Sequence, residues 1–336
     1  MSEQKKQQYL QLLLDYVQTN DDAILSSCQT FSTEAIEDNV SPEEIVQLHV
    51  NIMEQEQEQE LTKEQIIRSF DVLLEVMIGY GFTYRDYKKL LNKIKIHDKE
   101  MEVASSLQQT MLKPQIPQFD SIQIGAISVP AQKVSGDYFN LIDHNDGTMS
   151  FAVADVIGKG IPAALAMSMI KFGMDSYGHS QLPSDGLKRL NRVVEKNVNQ
   201  NMFVTMFYGL YEEINNMLYY SSAGHEPGYI YRSQTGEFKE MSERGIVLGV
   251  NKHTRYKQSE IKIELQDMII VFTDGVTELR NQQNEFIKTT DLLSMIDEYK
   301  QLHPQDIVQI LYEELVKLQN PNKRDDLTIL IVKRVK

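Results

Sequence analysis

The stretch Thr148-Met-Ser-Phe-Ala-Val-Ala-Asp-Val-Ile-Gly-Lys-Gly-Ile-Pro162 decides how this chain is to be read. Residues 148–154 are rich in strand formers. Asp155 stands where the run ends, two glycines follow, and Ile161-Pro162 opens a helix with proline in its first turn. A glycine-rich turn at a helix start can cradle phosphate. This one lacks the remaining glycines and the Lys-Ser/Thr pair of a P-loop, so its glycines read as a sharp turn that aims Asp155.

The same texture recurs outward in both directions. Asp137 lies in Ser135-Gly-Asp-Tyr138, Asp274 in Thr273-Asp-Gly-Val276 and Asp325 in Arg324-Asp-Asp-Leu327. Each abuts an apolar run. Hard divalent cations take oxygen ligands, and Mg2+ or Mn2+ is held by a few carboxylates plus waters. Two such ions bridged by a carboxylate activate water for in-line displacement at phosphorus without a protein nucleophile. No Gly-x-Ser-x-Gly turn and no second cysteine offer another route. Spacing alone leaves an alternative open, because Asp beside Gly is also ordinary turn chemistry.

Strands are predicted at 122–130, 138–142, 148–154, 202–211, 217–222, 228–231, 261–265, 268–273 and 327–333. Helices are predicted at 161–177, 184–199, 289–298 and 304–319. Strands come in consecutive groups, which points to antiparallel sheets with helices outside, an α+β domain over residues 118–336. His225, in a tight turn, is placed to act as a general acid or ligand, and equally to be a turn histidine satisfied by backbone. His144, His179, His253 and His303 have no supporting neighbours.

The first 82 residues read differently. Tyr9, Leu12, Leu13, Tyr16 and Val17 recur at helical spacing, and a second helix runs over 22–39. Ser41-Pro-Glu-Glu44 is a helix start with a capping box. The Glu/Gln run at 53–61 reads as a solvated connection. From Lys63 an apolar helix follows, with Gly79 and Gly81 either loosening it or allowing close packing. A bundle without ligand clusters reads as a partner-binding module. Residues 83–113 read as one more helix, where Leu90, Ile94, His97, Met101, Ala104, Gln108 and Met111 repeat in steps of four and three. That is the seam of a dimeric coiled coil, although a helix lying on one domain shows a similar stripe. Pro114 and Pro117 end it.

The chain has 336 residues and a net charge of -14. Residues 1–90 hold 7 Lys/Arg against 17 Asp/Glu, so most of the excess belongs to the N-terminal module. This balance argues against nucleic acid or an anionic membrane as partner. No run approaches the roughly 18 apolar residues of a membrane span, and the polar start has no signal core. A single cysteine, Cys28, suits a reducing cytoplasm.

Five motifs carry a resemblance: Pro130-Ala-Gln-Lys-Val-Ser-Gly-Asp-Tyr-Phe139, Ala154-Asp-Val-Ile-Gly-Lys-Gly-Ile-Pro-Ala-Ala164, Ser222-Ala-Gly-His-Glu-Pro227, Thr273-Asp-Gly-Val-Thr-Glu278 and Asp325-Asp-Leu-Thr328. Together they resemble the SpoIIE-type branch of the metal-dependent (PPM) serine/threonine phosphatases. The segments Val72-Leu-Leu-Glu-Val-Met-Ile-Gly-Tyr-Gly81 and Glu102-Val-Ala-Ser-Ser-Leu-Gln-Gln-Thr-Met-Leu112 resemble the members that regulate the sigma-B general stress response.

The resemblance implies an α-β-β-α sandwich phosphatase domain behind an all-α bundle and a linker helix. It implies two Mn2+ or Mg2+ ions bridged by Asp137 and Asp155, with the Val156 carbonyl contributing and Asp274 and Asp325 flanking. Asp325 is preferred to Asp326 because it occupies the position that precedes Asn in the wider family. Glu278 matches a third-ion position, but His225 replaces the acidic partner expected there. No general acid and no phosphate-binding arginine can be matched. The implied substrate is a phosphorylated anti-anti-sigma factor (RsbV-like), whose dephosphorylation frees sigma-B from its anti-sigma factor. The implied activator is an RsbT-like switch kinase on residues 1–82, with a homodimer through 83–113. A catalytically weak partner-switching scaffold, a phosphatase for another phosphoserine protein, and a two-metal phosphodiesterase or nuclease are the competing readings. The missing basic stripe disfavours the last.

Overall fold

The computed structural model describes residues 1–56, 62–158, 160–176, 180–198, 202–321 and 323–336. Lys159, His179 and residues 57–61 of the Glu/Gln run lie outside them. The chain divides into two compact units, Met1–Lys99 and Glu100–Lys336.

The first unit contains α1 (Glu3–Thr19), α2 (Asp22–Glu37), α3 (Pro42–Glu56) and the start of α4 (Lys63–Met111). Side chains cap their starts, for α3 through the box read from the sequence. Ser2 and Asp21 side chains accept the Lys5 and Ala23 amides. Ser41 and Glu44 exchange side chain-to-backbone bonds of 3.2 and 3.0 Å. Tyr9 and Leu13 of α1, Cys28 and Phe31 of α2, Ile45 of α3 and Val72 and Val76 of α4 form the core. Gly79 lets α2 approach, since a Cβ there would lie 2.5 Å from the Ser32 hydroxyl oxygen.

The expectation of a separate helix at 83–113 is corrected: α4 runs unbroken from Lys63 to Met111. Two glycines cost a helix about 1 kcal/mol each, and no proline interrupts it before Pro114. Along the stripe Leu90 and Ile94 are exposed, whereas Gln108 is buried.

The second unit follows as β1 (Ile122–Val129), β2 (Asp137–Asp143), β3 (Thr148–Ile157), α5 (Ile161–Asp175), α6 (Pro183–Asn197), β4 (Phe203–Glu212), β5 (Met217–Ala223), β6 (Gly228–Arg232), β7 (Glu237–Met241), β8 (Ser259–Lys262), β9 (Met268–Phe272), α7 (Asp274–Thr277), α8 (Thr289–Tyr299), α9 (Pro304–Leu318) and β10 (Leu327–Arg334). Two antiparallel five-stranded sheets result, ordered β1-β10-β9-β6-β7 and β2-β3-β4-β5-β8. Their inner faces meet through Phe139, Phe151, Phe207, Ile230, Ile269 and Leu330. The outer face of the β2–β8 sheet packs on α5 and α6 through Ala152, Met167, Ile170 and Leu190. That of the β1–β7 sheet packs on α8 and α9 through Ile270, Leu292, Ile307 and Leu311. The expected α-β-β-α sandwich is the observed one.

Three strands differ from expectation: β3 continues past the predicted end at 154 to Ile157, so Asp155 lies within it. β8 covers Ser259–Lys262, not 261–265, because residues 264–267 form a turn in which the Asp267 carboxylate accepts the Glu264 amide. β7 was not predicted: its charged residues carry no apolar alternation, and it pairs along the sheet edge with β6 alone.

Candidate active site

Strand parity builds the site. On β3, Phe151 and Val153 face the inter-sheet core, and a strand alternates faces, so Asp155 emerges on that same face. On β2, Leu141 and Phe139 lead to Asp137 in the same way, and the ladder pairs Asp137 directly with Asp155. From the other sheet, Ile269 and Val271 of β9 lead to Thr273, while Val332 and Leu330 of β10 lead to Thr328 and Asp326. The apolar layer therefore ends in a polar layer to which both sheets contribute. The buried Thr273 hydroxyl donates to Asp137 Oδ2 at 2.6 Å and accepts the Thr328 amide at 3.0 Å. Thr328 in turn donates to the Ser128 hydroxyl at 2.9 Å.

A cleft of about 200 Å³ opens above this layer, lined by Asp155, Val156, Asp274, Asp325 and Asp326 among others. Asp137, 3% exposed, does not itself line this cleft but lies buried opposite Asp155 on the ladder. Asp274 begins α7. Gly275 is required beside it, because a Cβ there would fall 1.8 Å from the Asp326 carbonyl oxygen. The two neighbouring aspartates of β10's approach are separated by their bonding. The Asp326 carboxylate is committed to the Ala131 and Gly136 amides at 2.7 and 2.5 Å. Asp325 is exposed and lines the cleft.

The electrostatics are those of uncompensated charge. Burial, then the charges of Asp274, Asp325 and Asp326, push Asp155 up to about 7. Burial holds Asp137 well above the usual carboxylate range, against the bond from Thr273. Asp274 is raised by burial and by Asp325 and Glu278. No cation lines this cleft among the described residues. The donor set, carboxylates from separate strand ends with the Val156 carbonyl at the rim, thus fits hard divalent ions. Among the described residues no three Asp, Glu, His or Cys groups already stand in position around one ion.

The other predicted residues fall around this centre. Glu278 lies in an adjoining recess of about 220 Å³ with Asp274 and Asp325. His225 does not line the cleft. Its Nδ1 pairs with the Thr205 hydroxyl at 2.9 Å, its Nε2 is buried without a partner, and burial pushes it down to about 4.

Several residues were missed. Glu226, beside His225, is raised by burial and then by the charges of Asp274 and Glu278. Arg280, Lys323 and Arg324 share that recess, and no motif singled them out. Thr273 and Thr328 were within quoted motifs, but their roles depend on which strands lie opposite.

A family profile described as Stage II sporulation protein E (SpoIIE) matches residues 145–335. One described as the N-terminal domain of phosphoserine phosphatase RsbU matches residues 7–83. The chain is similar to phosphoserine phosphatase RsbU of Bacillus subtilis (strain 168), with 41% identity over 330 residues, 98% of this chain and 97% of that one. In fold it is similar to the SiaA-PP2C domain of Pseudomonas aeruginosa, at a TM-score of 0.61 and 18% identity, covering 73% of this chain and 99% of that domain. It also resembles the structure of RsbX in complex with magnesium, at a TM-score of 0.51 and 20% identity, covering 66% and 98%.

Proposed function

We propose, from the premise that this chain belongs to the RsbU family of SpoIIE-type phosphatases, that it hydrolyses phosphoserine on an RsbV-like anti-anti-sigma factor. Its product would then free sigma-B from the anti-sigma factor in the general stress response. The observation that carries this reading is that Asp155, Asp274 and Asp325 line one cleft, with the buried Asp137 paired to Asp155 on the ladder.

Asp137 and Asp155, opposite each other on one ladder rung, are the groups that would bridge two Mn2+ or Mg2+ ions. Asp274, Asp325 and the Val156 carbonyl would flank them, and Glu278 with Glu226 would hold a third. When bound, the ions supply Lewis acidity to a phosphoryl oxygen and acidify a water. The chain's own groups do the rest. Thr273 fixes the Asp137 rotamer, and Asp326 holds the loop before it. The recess containing Arg280, Lys323 and Arg324 would receive the phosphoserine dianion, since guanidinium and ammonium groups pair with phosphate oxygens. Neutral His225, tied to Thr205, braces the turn that presents Glu226.

Residues 1–82 would receive an RsbT-like activator, and the exposed Leu90 and Ile94 would take part in a homodimer seam within 83–113. Among the described residues no helix is long and apolar enough to cross a membrane, and the setting we propose is cytoplasmic.

Phosphate release from a phosphoserine-carrying anti-anti-sigma factor, with Mn2+, tests the reading. Asp155→Asn and Asp274→Asn should each lower kcat at least about 100-fold, the upper range for disturbing a metal shell. Activity surviving both changes would overturn the metal assignment. Equal kcat/KM on unrelated phosphoserine proteins would overturn the substrate.

A further inference from the structure

We propose that Gln108, near the end of α4, is a positioning residue that sets the loop placing Asp137 opposite Asp155. Its neighbours Leu107 and Gln109 are exposed, but Gln108 itself is buried at 7% exposure. Its Nε2 donates to the Ser135 carbonyl at 2.7 Å, and its Oε1 accepts the Ser135 amide at 3.0 Å. One side chain thus satisfies both main-chain groups of one residue, as a neighbouring strand would. Only a planar amide offers donor and acceptor together in this geometry: a carboxylate keeps the acceptor alone, and leucine keeps neither.

The residue gripped is critically placed. The Ser135 hydroxyl accepts the Asp137 amide at 3.0 Å. On the far side Asp326 holds the Ala131 and Gly136 amides, and the Gly136 carbonyl accepts the Val156 amide at 3.2 Å. The segment before Asp137 is therefore clamped from β10 on one side and from α4 on the other. Without Gln108, Ser135 loses two partners next to the residue that must stand opposite Asp155. This inference rests on the phosphatase reading for its consequence, but not for its geometry.

The test uses the full chain. Amide hydrogen exchange over residues 133–139 is measured without metal or substrate, and Mn2+ affinity is measured by titration. In Gln108→Leu, exchange at Ser135, Gly136 and Asp137 should quicken at least about tenfold. Mn2+ affinity should fall about tenfold, as when outer partners of metal ligands are removed, with KM for the phosphoprotein unmoved. Gln108→Glu should give a smaller acceleration, since it keeps the acceptor for the Ser135 amide, and it serves if the leucine variant does not fold. Leu112→Ala, which trims the same helix end where it packs on the α5–α6 side, should leave exchange at Ser135 unchanged. Unchanged exchange in both Gln108 variants, or equal acceleration in Leu112→Ala, would overturn the proposal. Because exchange is read without substrate, failure to hydrolyse phosphoserine would sink the phosphatase reading and leave this result standing.

Discussion

Removing one carboxylate from the cleft should stabilise the ion-free protein, by an amount that grows with pH. Asp155 titrates near 3.8 when unfolded and is pushed up to about 7 in the fold by burial and three neighbouring aspartates. Between those values the unfolded chain has released a proton that the folded chain retains. Stability therefore falls as pH rises through that window, by about 1.4 kcal/mol per unit. The loss is complete above about pH 7 and amounts to roughly 4 kcal/mol. Asp155→Asn cannot ionise and escapes it. Urea unfolding in EDTA, followed by circular dichroism, should show the variant's advantage over wild type widening by about 2 kcal/mol between pH 5 and 7 and levelling off above that. Saturating Mn2+ should reverse the order at pH 7, because an ion that binds only the folded state stabilises it by mass action. Parallel wild-type and variant profiles from pH 5 to 7 in EDTA would refute the reasoning, since the carboxylate would then carry no unpaid charge.

Three further outcomes follow from named contacts. Thr273→Val removes the donor to Asp137 and orphans the Thr328 amide; it should cost about 1–3 kcal/mol in urea unfolding and weaken Mn2+ binding about tenfold by titration. Gly275→Ala forces a methyl group against the Asp326 carbonyl, so it should destabilise the protein by about 1–3 kcal/mol in the same assay. The His225 ring proton resonances should stay flat between pH 5.5 and 8, given a value of about 4; a midpoint near 6.5 would refute this.

The strands that matter were legible because they are doubly constrained. β3 and β9 are buried on both faces and read as continuous apolar runs, and an aspartate at the end of such a run has few explanations. β7, Glu237-Phe-Lys-Glu-Met241, was illegible because an edge strand is held by main-chain bonds that any sequence can make. The division of labour between Asp325 and Asp326 was legible only through resemblance. Its physical reason, the Ala131 and Gly136 amides reaching Asp326, depends on a loop almost 200 positions away. The supporting hydroxyls are the extreme case. Thr273, Thr328 and Ser128 come from three strands, and only the β1-β10-β9 order makes them neighbours.

The stripe on α4 shows why periodicity names a face but not its occupant. Steps of four and three mark one side of a helix, and a partner helix or the chain's own sheet edge can cover it equally well. The polar members discriminate, because a buried amide must be paired. In a two-chain seam Gln108 would find its partner in the second helix and would fix register. Here both its polar atoms are spent on Ser135. A dimer seam that included Gln108 would have to break both bonds and leave the Ser135 main chain to be satisfied elsewhere. A seam built on Leu90 and Ile94, both exposed, carries no such cost. Association through this helix is therefore compatible with an intact cleft only where the contact stops short of Gln108. Cross-linking from cysteines at positions 94 and 111, which leaves Gln108 in place, separates the cases: efficient linkage at 94 alone fits the clamp, and equal linkage at both does not.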